Sequence, residues 1–184
     1  MAVQNYLSYL LNPLELLRTK KVLQVNPTVV SQRTEPEETK LFVYDYNGSH
    51  VDIKELKTIP ECYKYIDPQT ISWINVAGLR KVDVENLCAH FGIHYLITED
   101  ILSLGQRPKM DEIDGLLFCL LNMLSFNEKD SAVEVEQISI VLGKNFVISF
   151  QADATKDVFH PLRARLKVST SKVRPSGEDV LYYA

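Results

Sequence analysis

Leu7, Leu10, Leu11, Leu14 and Leu17 recur at helical spacing over residues 1–21, with Asn12-Pro13 interrupting the stripe and starting the helix anew. Pro27 and Pro36, together with Glu35, Glu37 and Glu38, mark residues 26–40 as a linker. The folded core is therefore expected to begin near Leu41. There the period changes from helix to strand. Residues 41–46 are rich in strand formers, Asn47-Gly48 signals a two-residue hairpin turn, and Val51 with Ile53 continues on the return strand. Residues 58–66 predict a short helix and residues 70–76 a buried strand. A further helix is expected from Asp83, as its cap, to Gly92, just past its end. Another is expected over residues 98–104. Its cap is the Thr98 hydroxyl, Glu99 and Asp100 fall in a first turn whose dipole favours acids, and Pro108 ends regular structure soon after.

The apolar runs 115–126, 133–142 and 145–150 read as three antiparallel strands, the last two joined by a tight turn at Gly143, Lys144 and Asn145. Val158, Leu162 and Leu166 then form a helical stripe. Alternating helices and strands followed by a meander imply an α/β fold, with a mixed parallel and antiparallel sheet flanked by helices. Ser176, followed by Glu178 and Asp179, resembles a helix start, yet the sequence stops at Ala184, so residues 175–184 read as a helix continued in a longer parent protein. The expected organisation is an amino-terminal helix and linker (1–40), one α/β domain (41–174) and the beginning of that helix (175–184).

With 184 residues and 46% hydrophobic content, the chain is able to bury roughly 70% of its unfolded surface and needs neither disulfide nor metal to hold a core. A net charge of -4, with no Lys or Arg run interleaved with aromatics, argues against a nucleic-acid partner and favours cations. The uncharged, strongly apolar window at residues 115–127 is short of the roughly 20 apolar residues that cross a bilayer. The absence of a basic residue before Arg18 and of a small-residue cleavage pattern argues for a cytoplasmic location. Cys62, Cys88 and Cys119 are expected to be reduced core thiols.

No hydrolase elbow, zinc-protease, phosphate-loop or dinucleotide motif occurs, so the chain is not read as an enzyme. A metal-assisted hydrolase built on Glu99 and Asp100 finds no base or nucleophile placed near them by sequence. Cys88, His90 and His94 lie close together, but Gly92 should turn His94 away from His90, leaving His94 to satisfy backbone groups at the break. Arg107 is the expected partner of Glu99, of Asp100 or of the Asp111, Glu112 and Asp114 cluster, which otherwise leads into a strand. Arg163, Arg165 and Lys167 form the wet face of their helix.

The blocks Trp73-Ile74-Asn75-Val76-Ala77-Gly78, Gly92-Ile93-His94, Glu99-Asp100-Ile101-Leu102, Gln106-Arg107-Pro108-Lys109, Glu136-Gln137-Ile138-Ser139 and Phe150-Gln151 together resemble the CorA family of magnesium and cobalt transporters. The resemblance covers about residues 41–184, the amino-terminal cytosolic domain of that family. The long stalk helix, the membrane helices and the Gly-Met-Asn pore signature are not in this sequence. The resemblance implies an α/β/α sandwich forming the funnel of a homopentameric channel at the inner face of the cell membrane. There, Mg²⁺ (or Co²⁺) bound between neighbouring domains acts as a regulatory ligand that holds the pore closed. By motif, Asp100 is the ligand of that ion and Glu99 lies beside it. Gly105 stands where some members have a His, so no third ligand is assigned. The same resemblance leaves room for a zinc-transporting relative, or for an interaction module without ion sensing.

Elementary geometry agrees with a divided site. Adjacent helical residues point about 100° apart, so Glu99 and Asp100 need a second surface to enclose one ion. Mg²⁺ keeps several waters and takes one or two carboxylates, so one acid from each of two chains suffices. Without the stalk, which by resemblance carries the facing acid, the isolated domain is expected to be monomeric or weakly associated.

Overall fold

The computed structural model describes residues 35–127, 132–154 and 159–168. The predicted helix in residues 1–34, Val158 and the helix start at 175–184 lie outside the described residues.

Strand alternation in this chain serves two apolar faces, because side chains i and i+1 point to opposite sides of a sheet. In β1 (Lys40–Tyr46), Leu41 and Val43 go to one core, whereas Tyr44 and Tyr46 go to another. In β3 (Ile71–Ala77), Ile74 and Val76 join the first core and Trp73 the second. A sheet with two buried faces must be covered on both, and the helices divide accordingly. The first core is completed by a 3-10 helix, Ile59–Lys64, and by α1 (Lys81–His90) and α2 (Tyr95–Leu102). The second is completed by Phe159, Leu162 and Leu166 at α3 (His160–Lys167). This is the expected α/β/α sandwich.

Among the described residues the sheet has seven strands, ordered β2-β1-β3-β7-β6-β5-β4. Beyond β1 and β3 these are β2 (Val51–Leu56), β4 (Lys109–Ile113), β5 (Leu116–Asn127), β6 (Ala132–Leu142) and β7 (Phe146–Gln151). Parallel pairing of β3 with β7 is what makes the sheet mixed, since β1 pairs antiparallel with β2 and β3, β6 with β7, and β4 with β5. At the parallel junction a buried polar bridge fixes the register: Trp73 Nε1 and Asn75 Nδ2 both donate to Ser149 Oγ, each at 2.9 Å. The described residues 35–123, 136–154 and 159–168 form one compact unit, while the portions of β5 and β6 within residues 124–135 belong to a second.

Several local expectations are corrected. The Asn47-Gly48 turn is not a two-residue hairpin: Tyr46 pairs with Val51, leaving four residues in the loop. The Asn47 side-chain oxygen accepts from Ser49 N and His50 N, each at 2.9 Å, so an Asx turn outcompetes the tighter geometry. The two-residue turn falls instead at Asp114-Gly115. These residues have φ of 54° and 76°, and Ile113 pairs with Leu116 across them. Paired positive φ values are the requirement of the type I′ turn. The acidic stretch from Asp111 is thus not a lead-in but a strand of its own, β4, at the sheet edge.

Asp83 does not cap α1. The cap position is Arg80, and Asp83 sits one turn inside, accepting from Thr39 Oγ1 at 2.8 Å. The free amide at the helix start, Lys81 N, is met by Glu35 Oε1 at 2.8 Å.

Candidate functional site

Helix α2 begins three residues earlier than its sequence suggests. Gly92, at φ 67°, ends α1 by a left-handed reversal that suits a glycine, and the backbone re-enters a helix after His94. His94 is the cap: its Nδ1 accepts from Leu96 N at 3.3 Å. The expectation that His94 serves backbone groups at the break is met, and the Thr98 cap is corrected. Thr98 lies within α2 and turns its hydroxyl to His94 O at 3.5 Å. His90 stacks on Tyr63, with ring centroids 3.9 Å apart. Among the described residues, no group of three or more His, Cys, Asp or Glu is arranged to hold a metal.

The correction moves Glu99 and Asp100 from the first turn of a helix to its last. At that end the peptide dipoles present partial negative charge, so a carboxylate there is disfavoured unless a cation answers it. Lys109 is that cation. Its Nζ lies 2.6 Å from Asp100 Oδ2 and 3.3 Å from Asp111 Oδ2, and 5.9 Å from the centroid of the Phe118 ring. Asp100 beside it holds the ammonium above the ordinary lysine pKa. The expected partner, Arg107, is exposed on the connection ahead of β4. The lysine two positions later reaches the acid because β4 pairs with β5 in a register that sets Lys109 opposite Leu120.

Glu99 goes elsewhere. It is exposed and lines a groove between α1 and α2 with Lys81, Glu85, Tyr95 and Leu102. The two acids therefore diverge, Asp100 toward the sheet edge and Glu99 toward the neighbouring helix.

The backbone around Asp100 is held from the sheet. Gln137, on β6, donates from Nε2 to Ser103 O at 2.9 Å and to Asp100 O at 3.3 Å, while its Oε1 accepts from Gln106 N at 3.2 Å. One amide thus fastens both the end of α2 and the loop that carries Gln106-Arg107-Pro108-Lys109. Ile101, fully buried in the first core, anchors the adjacent position. Neither Lys109 nor Gln137 stood out as a site residue in the sequence. For Lys109 the available signal was its position two residues ahead of Asp111 on one strand face. For Gln137, 31 residues from Gln106, the signal was its place in the Glu136-Gln137-Ile138-Ser139 block, which does not reveal its partners.

The donor set suits a hard divalent cation in part. Asp100 is a half-buried carboxylate, 20% exposed at its side chain, already in contact with a cationic group. Mg²⁺ commonly takes one or two carboxylates and completes its shell with water. At this point a single chain offers the Asp100 and Asp111 carboxylates around one ammonium and the divergent Glu99.

The family pattern described as "CorA-like Mg2+ transporter protein" matches residues 68–184. The cobalt/magnesium transport protein CorA of Thermotoga maritima is 35% identical over 141 residues, covering 75% of this chain and 40% of that protein. The chain thus spans well under half the length of that relative. Two solved structures share the fold. The full-length CmaX protein has a TM-score of 0.60 at 15% identity, over 82% of this chain and 45% of that one. The soluble domain of CorA from Methanocaldococcus jannaschii has a TM-score of 0.55 at 16% identity, over 77% and 53%. Among the described residues no helix is long and apolar enough to cross a membrane. The family match runs over residues 68–184, a range that includes Asp100, Lys109 and Gln137, and it leads to one conclusion: this chain belongs to the family of CorA-like Mg²⁺ transporter proteins.

Proposed function

We propose that the chain is the metal-sensing, gating domain of a longer, homo-oligomeric transport protein for divalent cations, working at the cytoplasmic face of the membrane. In this reading Mg²⁺, or Co²⁺, is a regulatory ligand. Asp100 is its first protein ligand, Glu99 lies beside it, and a facing acid comes from a second subunit. Residues 41–174 form the sensing domain, residues 1–40 precede it, and residues 175–184 begin the helix that leads toward the membrane part. The domain performs no catalysis.

One observation carries the reading. Asp100 sits at the negative end of a short helix, fastened through Gln137 and Ile101, with its carboxylate already satisfied by an ammonium group rather than by the core. Such a carboxylate is preorganised for a cation. Its single-chain ligand count leaves affinity to be completed by assembly, so occupancy follows both ion concentration and subunit arrangement.

The test is Mg²⁺-dependent protection from limited proteolysis, measured on the full transport protein that carries this domain. Asp100→Ala should raise the Mg²⁺ concentration needed for protection severalfold, and Glu99→Ala should raise it less. Unchanged protection in Asp100→Ala would leave the chain as an interaction module without ion sensing.

A further inference from the structure

We infer that Lys109 is a tethered competitor for the ion, and that its exchange between Asp100 and Asp111 sets the affinity of the proposed sensing site. The inference deepens the sensing role of Asp100 and rests on it.

Lys109 cannot drift far from Asp100, because β4 is locked to β5 by the pairing of Lys109 with Leu120, Met110 with Cys119 and Asp111 with Phe118. Its four-carbon stem begins at a fixed point and ends in an ammonium 2.6 Å from Asp100 Oδ2. A divalent ion that approaches Asp100 therefore meets an occupied carboxylate. Yet the lysine has a second berth. Asp111, two residues along the same strand, presents its carboxylate to the same face, with Oδ2 3.3 Å from the same ammonium. When an ion takes Asp100, Lys109 keeps a partner, so its displacement does not strand an unpaired charge. Both carboxylates and the lysine are partly exposed, at 20%, 44% and 37% of their side-chain surfaces. The exchange thus needs no opening of the core.

This arrangement separates two functions that a bare carboxylate would merge. Asp100 supplies the ligand, Lys109 raises the ion concentration at which that ligand becomes available, and Asp111 limits that rise by receiving the displaced lysine. A sensor that must discriminate small changes around an abundant cation benefits from such a threshold, since an unopposed acidic pair would stay loaded.

The experiment is a Mg²⁺ titration of the 184-residue chain by NMR, following the Asp100 backbone amide and the Lys109 side-chain ε-methylene resonance together. In the unmodified chain both signals should move with one midpoint. Lys109→Met should lower the midpoint of the Asp100 signal about fivefold, the upper end of what a surface ion pair is worth. Asp111→Asn should raise it, because Lys109 then has Asp100 alone. The same Asp111→Asn change made in the Lys109→Met background should have no effect, which separates an influence through the lysine from direct ligation by Asp111. Unchanged binding in Asp100→Asn overturns the sensing site itself. Binding that is lost in Asp100→Asn but not tightened in Lys109→Met, or a Lys109 signal that stays still while Asp100 titrates, overturns the competitor role alone. The facing acid strengthens the site but Asp100 alone binds Mg²⁺ weakly, so absence of any shift approaching saturation in every variant overturns both.

Discussion

Replacing Gln137 by alanine should loosen the Asp100 corner without touching its acids. The side chain makes two bonds of ordinary length, to Ser103 O at 2.9 Å and from Gln106 N at 3.2 Å, and a longer one to Asp100 O at 3.3 Å. All three partners are backbone groups in half-buried surroundings, and truncation removes both the donor and the acceptor that serve them. A hydrogen bond of this kind contributes about 1 kcal/mol net, and an orphaned, partly buried carbonyl costs about 1–3 kcal/mol. Because water reaches part of this corner, we expect a loss near 2 kcal/mol in total. For a chain of this size that lowers the melting temperature by about 4–8 °C. Urea denaturation gives the free energy, and hydrogen exchange at the Gln106 amide gives the location, since that proton is held by Gln137 Oε1. Gln137→Glu should do worse, because a carboxylate still accepts from Gln106 N but faces two carbonyl oxygens with no donor. A Gln137→Ala variant within about 0.5 kcal/mol of the unmodified chain, with unaltered exchange at Gln106, would refute the clamp.

Two further predictions concern the fold. Burial pushes the Cys62 thiol up to about 12 and the Cys88 thiol up to about 11, the latter eased by Thr98, from a reference of 9.0. A raised folded pKa keeps protons that the unfolded chain has released. Stability from these thiols is therefore whole below about pH 9 and falls as pH climbs toward 11 and 12. Urea midpoints measured between pH 8 and pH 10.5 should decline, and Cys62→Ala should flatten the slope. Rapid native labelling of Cys62 by a thiol reagent at pH 8 would contradict its burial. The two Gly-containing turns should respond differently to alanine. Gly115→Ala forces a left-handed φ of 76° on a residue with a Cβ and should cost about 1–2 kcal/mol. Gly48→Ala adds a Cβ that meets nothing within 4 Å and should stay within about 0.5 kcal/mol. Equal losses at the two sites, in thermal unfolding, would overturn the turn assignment.

Much of the architecture was legible because strand and helix periods are local. Trp73 and Ile74 differ by one position and so must face opposite layers, and Leu162 and Leu166 differ by one helical turn and so share a face. Turns were harder, because Asn-Gly and Asp-Gly carry the same signal. The choice between them fell to side-chain bonding: Asn47 folds its oxygen back onto Ser49 and His50, whereas Asp114 adopts the left-handed backbone. The missed strand β4 shows the same limit. Its pattern, Lys-Met-Asp-Glu-Ile, is mostly polar, because an edge strand has less core to face.

For the candidate site the division is sharper. Residue type and motif alone brought Glu99, Asp100 and the family resemblance into view, since hard oxygen ligands and blocks of sequence are properties of neighbouring positions. Tertiary structure alone decided that these acids stand at the end of α2 and not at its start. It also decided that Lys109, not Arg107, answers Asp100, and that Gln137 holds the corner together. Each of these depends on where the chain returns after residue 103 and on how β4, β5 and β6 align. A register that sets Lys109 opposite Leu120 is the outcome of packing across the whole sheet, and no local pattern of side chains encodes it.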